Sequence, residues 1–148
     1  MRARDLMTPT PTVITADDPI PKTAEVMRNL DVGMLPVVDD LVGRHLIGVI
    51  TDRDIVVRCL ADQSLIQCQV RNHMTTAPLA YVRETAELAD IATKMERYQV
   101  RRVPVVDADM RVIGIVTQAD LARRVGPENP ALVEEVIERI SSPGVLVH

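Results

Sequence analysis

The chain has 148 residues, 47% of them hydrophobic and 26% charged, with a net charge of −4. That suits one compact domain or two small ones. With two Tyr, no Phe and no Trp, it lacks the stacking surface that holds single-stranded nucleic acid, and its charge does not attract phosphate backbones, so no nucleic-acid partner is expected. No apolar run is long enough to span a bilayer. The start, Met1-Arg2-Ala3-Arg4-Asp5, is not followed by an apolar signal core, so a cytoplasmic protein without a membrane partner is expected. Cys59 and Cys68 match neither a CxxC pair nor a zinc knuckle and read as free thiols, with a disulfide between them as the alternative.

In chain order, a short extended piece, Thr12-Val13-Ile14, precedes a helix in which Ile20, Ala24, Met27 and Leu30 supply the apolar stripe. Pro19 and Pro21 fit its first turn. Two strands rich in Val and Ile follow, near residues 35–39 and 45–51. A second helix begins near Asp52, with Thr51 placed to cap it. The order then repeats. Leu79–Val82 is extended, and Leu88, Ile91, Ala92 and Met95 form an amphipathic stripe. Strands near 103–107 and 111–117 lead to a helix from Gln118 capped by Thr117. The apolar runs of the strands predict a sheet covered on both faces. A last helix after Gly126-Pro127 carries Leu132, Val133, Val136, Ile137 and Ile140 on one face, which can pack on its own module or on a second chain.

The repetition extends to the letters. Leu6-Met7-Thr8 returns as His73-Met74-Thr75, Leu35-Pro36-Val37-Val38-Asp39 as Val103-Pro104-Val105-Val106-Asp107, and Gly48-Val49-Ile50-Thr51 with Asp54 as Gly114-Ile115-Val116-Thr117 with Asp120. The offsets are 67, 68 and 66 residues, so the first copy carries two extra residues before Gly48, in a stretch of turn chemistry. A Thr and an Asp one turn apart at a helix start place a hydroxyl and a carboxylate together. A carboxylate can accept from both hydroxyls of a ribose, and a helix N-terminus suits phosphate. The rival reading is structural: Thr51 and Thr117 as simple caps, with Asp54 and Asp120 as first-turn acids. Arg101 and Arg102 bind phosphate or serve as surface charges. His45, His73 and His148 are widely spaced, and no metal site is expected. No nucleophile elbow, Walker loop or zinc-protease motif is present, so no catalytic residues are assigned and the chain reads as non-enzymatic.

The paired apolar-Pro-Val-Val-Asp and Gly-apolar-apolar-Thr-x-x-Asp motifs resemble the CBS domain, over about residues 2–125. The chain is most similar to small bacterial proteins that are a CBS pair alone, including the hypoxic response type, especially around Gln99–Val105. The resemblance implies an α/β (α+β) tandem pair, each repeat β-α-β-β-α, with pseudo-two-fold symmetry: a Bateman module. Repeat 1 is expected at 1–64, repeat 2 at 65–125 and a C-terminal helical extension at 126–148.

The family implies no required cofactor, a homodimer of pairs, and AMP, ADP, ATP or S-adenosylmethionine held in clefts between repeats. Carried over residue by residue, it implies one site of Thr51, Asp54, Pro78, Leu79, Arg101, Arg102 and Val103, and another of Thr117, Asp120, Thr12, Val13, Gly33, Met34 and Leu35. Arg101 and Arg102 stand where the first copy has Gly33 and Met34, so a phosphorylated ligand is expected to prefer the Asp54 site. The alternative is a ligand-free scaffold that dimerises or binds a partner.

Overall fold

The structure, a computed structural model, describes residues 1–61 and 68–141. Two compact units emerge. One contains Met1–Pro11, Ala80–Ala108 and the described residues from Ile113 on; the other contains the described residues of Thr12–Leu79 with Asp109–Val112. The division expected at 64/65 and the last residues of the expected extension lie outside the described residues.

The unit built on the first copy starts with β2, Ile14–Thr15, and α2, Ile20–Leu30. Then come β3, Met34–Val38, and β4, Leu46–Thr51. β2 runs parallel to β3, and β3 antiparallel to β4, with Leu35 opposite Ile50. β3 is buried from Leu35 to Val38, as a sheet covered on both faces requires. β4 departs from that expectation, because burial alternates along it.

The stripe of α2 also differs from expectation. Ile20, Thr23 and Met27 are its buried residues, whereas Ala24 is exposed and Leu30 is 47% exposed. The cause is phase: the helix begins at Ile20, and Thr23 turns inward with its hydroxyl donating to the Pro19 carbonyl at 3.0 Å. Leu30 is the last turn before Asp31, whose left-handed φ of 53° swings the chain away.

Before α2, Asp18 accepts from the Thr15 N–H and from the Lys22 ammonium, each at 2.9 Å. Burial pushes the Asp18 pKa up, but these two donors outweigh it and hold the carboxyl below its ordinary 3.8. A depressed folded pKa stabilises above the unfolded value and loses that contribution as pH falls through the folded value. Urea unfolding at neutral pH and at successive steps below pH 3.8 should therefore show a smaller acid-dependent loss in Asp18→Asn than in the parent. Identical slopes would exclude this role.

The unit built on the second copy contains β5, Val82–Arg83, α4, Leu88–Tyr98, β6, Arg102–Val106, and β7, Val112–Thr117. Val112, the first residue of β7, is grouped with the other unit. α5, Gln118–Arg124, and α6, Pro130–Ser141, complete it. The stripe of α4 is as expected: Ile91, Ala92 and Met95 are buried. α6 settles its own alternative. Val133, Val136 and Ile140 join the core of this unit, with Leu132 and Ile137 partly buried against it.

Each unit borrows the segment leading into the other copy. α1, Ala3–Leu6, and β1, Thr8–Pro9, belong with the second copy's strands, where β1 pairs antiparallel with β7. In the other unit, Thr75 pairs with Val49 of β4 through bonds of 2.8 and 3.0 Å. The repeated Met-Thr thus covers the repeated Gly twice. A Cβ on Gly48 would lie 2.8 Å from the Thr75 carbonyl, and one on Gly114 would lie 2.3 Å from the Met7 sulfur.

Candidate functional site

β4 ends at Thr51, and the chain turns at once into a helix, so the last strand residue becomes the helix cap. α3, Asp52–Asp54, carries the acid. The Asp54 N–H donates to the Thr51 hydroxyl, and the Thr51 N–H to Asp54 Oδ2, both at 3.0 Å. The second copy repeats this: the Asp120 N–H donates to Thr117 Oγ1 at 3.1 Å, and the Thr117 N–H to Asp120 Oδ2 at 2.9 Å. These are reciprocal capping boxes. Both carboxylates are drawn inward, Asp54 to 9% and Asp120 to 1% exposure.

The two pairs differ in what holds the second carboxylate oxygen. Asp120 Oδ1 takes the Arg123 guanidinium at 2.6 Å and the Thr8 hydroxyl at 3.5 Å. Its other oxygen also accepts from the Thr117 hydroxyl at 2.9 Å. Among the described residues, Asp54 Oδ1 meets only Arg58, whose Nε stands 3.8 Å away on a half-exposed side chain. The Asp120 carboxylate is saturated by its own unit, whereas Asp54 keeps acceptor capacity.

Within each unit, strand pairing brings beside the cap residues that the family pattern assigned to the other site. Met34 lies opposite Thr51, and the Asp52 N–H donates to the Gly33 carbonyl at 2.9 Å. In the second copy, the Gln118 N–H donates to the Arg101 carbonyl at 2.8 Å. Arg101 is exposed, Arg102 half-buried, and Leu35 and Val103 buried. Thr12 is exposed and Val13 buried just before β2, whereas Pro78 is exposed and Leu79 half-buried. A surface depression of about 340 Å³, lined by residues including Tyr81, Asp90 and Lys94, contains none of the expected residues.

Two features escaped the sequence. After Asp54 the helix is wound as a π-helix over Ile55–Leu60, not as the α-helix expected from copy two; such wide turns recur at functional sites. It buries Cys59 completely and leaves Val56, Val57 and Leu60 exposed. His73, expected to lie apart from any ligand cluster, is gathered with Cys59 and Cys68. The sequence signal was only Cys-x4-His with a cysteine nine residues earlier.

The sequence model of the CBS domain matches twice, over residues 3–60 and 70–126. The chain belongs to the CBS-domain family. Among CBS relatives, Hypoxic response protein 1 of Mycobacterium tuberculosis is 35% identical, over 97% of this chain and 96% of that protein. A crystal structure of Hypoxic Response Protein I with two coordinated zinc ions shares 36% identity and a TM-score of 0.74, covering 84% of this chain and 98% of that one. CBSX2, a CBS-pair protein from Arabidopsis thaliana, was solved in complex with AMP; it shares 32% identity and a TM-score of 0.74, over 86% and 98% of the two chains. The CBS domain pair of protein MJ0100, in complex with 5′-methylthioadenosine and S-adenosyl-L-methionine, shares 29% identity and a TM-score of 0.70, over 86% and 98%. The chain is therefore a tandem CBS pair of mixed α/β structure. Among the described residues, no helix is long and apolar enough to cross a membrane.

Proposed function

We propose that this CBS pair is a non-enzymatic sensor that binds an adenosine-containing small molecule, with Thr51 and Asp54 as its principal ribose contacts. The observation that carries the reading is the second oxygen of Asp54, held among the described residues by a distant Arg58 alone, in a chain similar to CBS pairs crystallised with AMP and with S-adenosyl-L-methionine. A ribose offers two adjacent hydroxyls. A partly shielded carboxylate accepts them at roughly 1.5–3 kcal/mol each. Asp120, already saturated by Thr117, Arg123 and Thr8, has less to offer. That supports the preference for the Asp54 site that Arg101 and Arg102 suggest from sequence.

A ligand of the folded state stabilises by about 2.7 kcal/mol at a concentration 100 times Kd. Melting of the purified chain is expected to rise with AMP, ATP or S-adenosylmethionine in proportion to the logarithm of concentration. Asp54→Ala should lose most of the shift, and Asp120→Ala, compared with its own ligand-free melting point, much less. Equal losses would remove the asymmetry. If no adenosine compound shifts melting while native mass spectrometry finds a defined dimer, the scaffold reading replaces the sensor; exposed Val56, Val57 and Leu60 give that reading its apolar surface.

A further inference from the structure

Cys59, Cys68 and His73 reach one point from three places along the chain. Cys59 projects from the π-helix Ile55–Leu60. The Cys68 backbone is pinned by the Ile20 N–H, which donates to its carbonyl at 3.0 Å. His73 closes the single 3-10 turn Val70–Asn72, with its own N–H on the Val70 carbonyl at 3.0 Å. The two sulfurs and an imidazole nitrogen all lie within 4.8 Å of one another. The residues are 0%, 6% and 7% exposed, and no disulfide joins the cysteines. The surroundings are apolar: Ile55 and Val70 belong to the same buried cluster as both cysteines.

An imidazole is costly to bury among aliphatic side chains unless its nitrogens are satisfied. Here Nε2 is aimed at sulfur, 2.8 Å from Cys68 Sγ. A tetrahedral ion with bonds of about 2.3 Å to sulfur and about 2.0 Å to nitrogen needs only a small opening of that pair. Two thiolates and one neutral imidazole are a soft donor set, suited to zinc-class ions and not to magnesium or calcium.

We infer that Cys59, Cys68 and His73 form a buried binding site for a thiophilic divalent metal ion of the zinc class. Binding releases one proton from each thiol, His73 donates its Nε2 lone pair, and solvent or another donor fills the remaining coordination position. The ion joins the π-helix that follows Asp54 to the segment carrying His73. Arg58 already spans them, reaching the His73 carbonyl at 3.4 Å while standing 3.8 Å from Asp54. Metal occupancy thereby braces the helix whose first turn carries Asp54.

The test uses the full chain, reduced and stripped with a chelator, and needs no nucleotide, so it stands apart from the sensor reading. Titration with Co²⁺ is expected to give the visible absorption of a thiolate-bound tetrahedral ion, saturating at one equivalent. Zn²⁺ should displace it, raise the melting temperature, and protect Cys59 and Cys68 from alkylation as read by mass spectrometry. Cys59→Ser, Cys68→Ser and His73→Ala should each lose the stoichiometric absorption. Because a buried substitution can unfold the chain, the alkylation readout on the parent protein decides independently. Weak, non-saturating Co²⁺ spectra, zinc that leaves alkylation unchanged, or a Cys59–Cys68 disulfide that persists under reduction would each overturn the inference.

Discussion

Asp120→Ala is expected to lower the free energy of unfolding by about 4 kcal/mol, against about 2 kcal/mol for Asp54→Ala. The two positions are equivalent in the repeat and both close a capping box, so the difference must come from their surroundings. Asp120 is 1% exposed. Its Oδ2 receives the N–H and the hydroxyl of Thr117, each at 2.9 Å. Its Oδ1 receives Arg123 at 2.6 Å and, more loosely, Thr8 at 3.5 Å. Removing the carboxylate breaks the reciprocal half of the α5 capping box and leaves the Thr117 N–H without its acceptor, although the Asp120 N–H still meets the Thr117 hydroxyl. Bonds to a charged acceptor contribute about 1.5–3 kcal/mol each when buried. Arg123, whose side chain is 70% exposed, returns to water, so its share is small. Asp54 loses only the bond from the Thr51 N–H and a weak pairing with Arg58. Urea denaturation of the ligand-free proteins measures the gap. Asp120→Asn, which keeps the shape but not the charge, should recover about half of the loss. Indistinguishable midpoints for the two alanine variants would show that the Arg123 and Thr8 contacts add nothing.

The repeat, the strands, the α4 stripe and the two Thr caps were legible because each leaves a local pattern: alternation or continuity in apolar residues, a 3.6-residue period, or a hydroxyl before a helix. The exchange of leading segments was not. Thr8 and Pro9 make a two-residue strand against Ile115 and Gly114, and the Val49–Thr75 contact is a lone bridge. Neither is long enough to carry a period, and both join residues far apart in sequence. The phase of α2 was misread for a related reason. Ala24 is apolar by type, but Thr23 satisfies its hydroxyl on its own helix and so can be buried. The candidate site was half legible. Thr51 meets Asp54, and Thr117 meets Asp120, as the motif suggests, but whether a carboxylate is saturated depends on Arg123, Arg58 and Thr8. The cysteine–histidine group was invisible because its members come from separate stretches of chain, and a π-wound turn brings Cys59 into the core.

Gly48→Val is the sharpest test of that exchange, with an expected cost of about 4 kcal/mol. A strand position followed by Val49 and Ile50 invites a β-branched residue by propensity alone. The structure forbids it. A Cβ there would lie 2.8 Å from the Thr75 carbonyl and 3.2 Å from the Met74 sulfur. The sulfur can move, but the carbonyl cannot: it accepts the Val49 N–H at 3.0 Å, and the Thr75 N–H donates back to Val49 at 2.8 Å. A side chain must therefore push the Met74–Thr75 segment off β4. Overpacking of this kind costs about 1–3 kcal/mol, and each broken backbone bond adds about 0.5–1.5 kcal/mol. Gly114→Val makes the contrast. Its Cβ would meet the Met7 sulfur and Cγ, which can rotate away, and Met7 Cβ at 2.9 Å, which moves only with its backbone. Its penalty should be smaller, and Met7→Ala should relieve part of it. Met74→Ala should not rescue Gly48→Val, because backbone is what blocks that site. Denaturation midpoints of the two glycine variants, alone and with their methionine partners, separate the cases. Rescue of Gly48→Val by Met74→Ala would mean that side-chain crowding, and not the borrowed backbone pairing, holds Met74-Thr75 on the first copy's last strand.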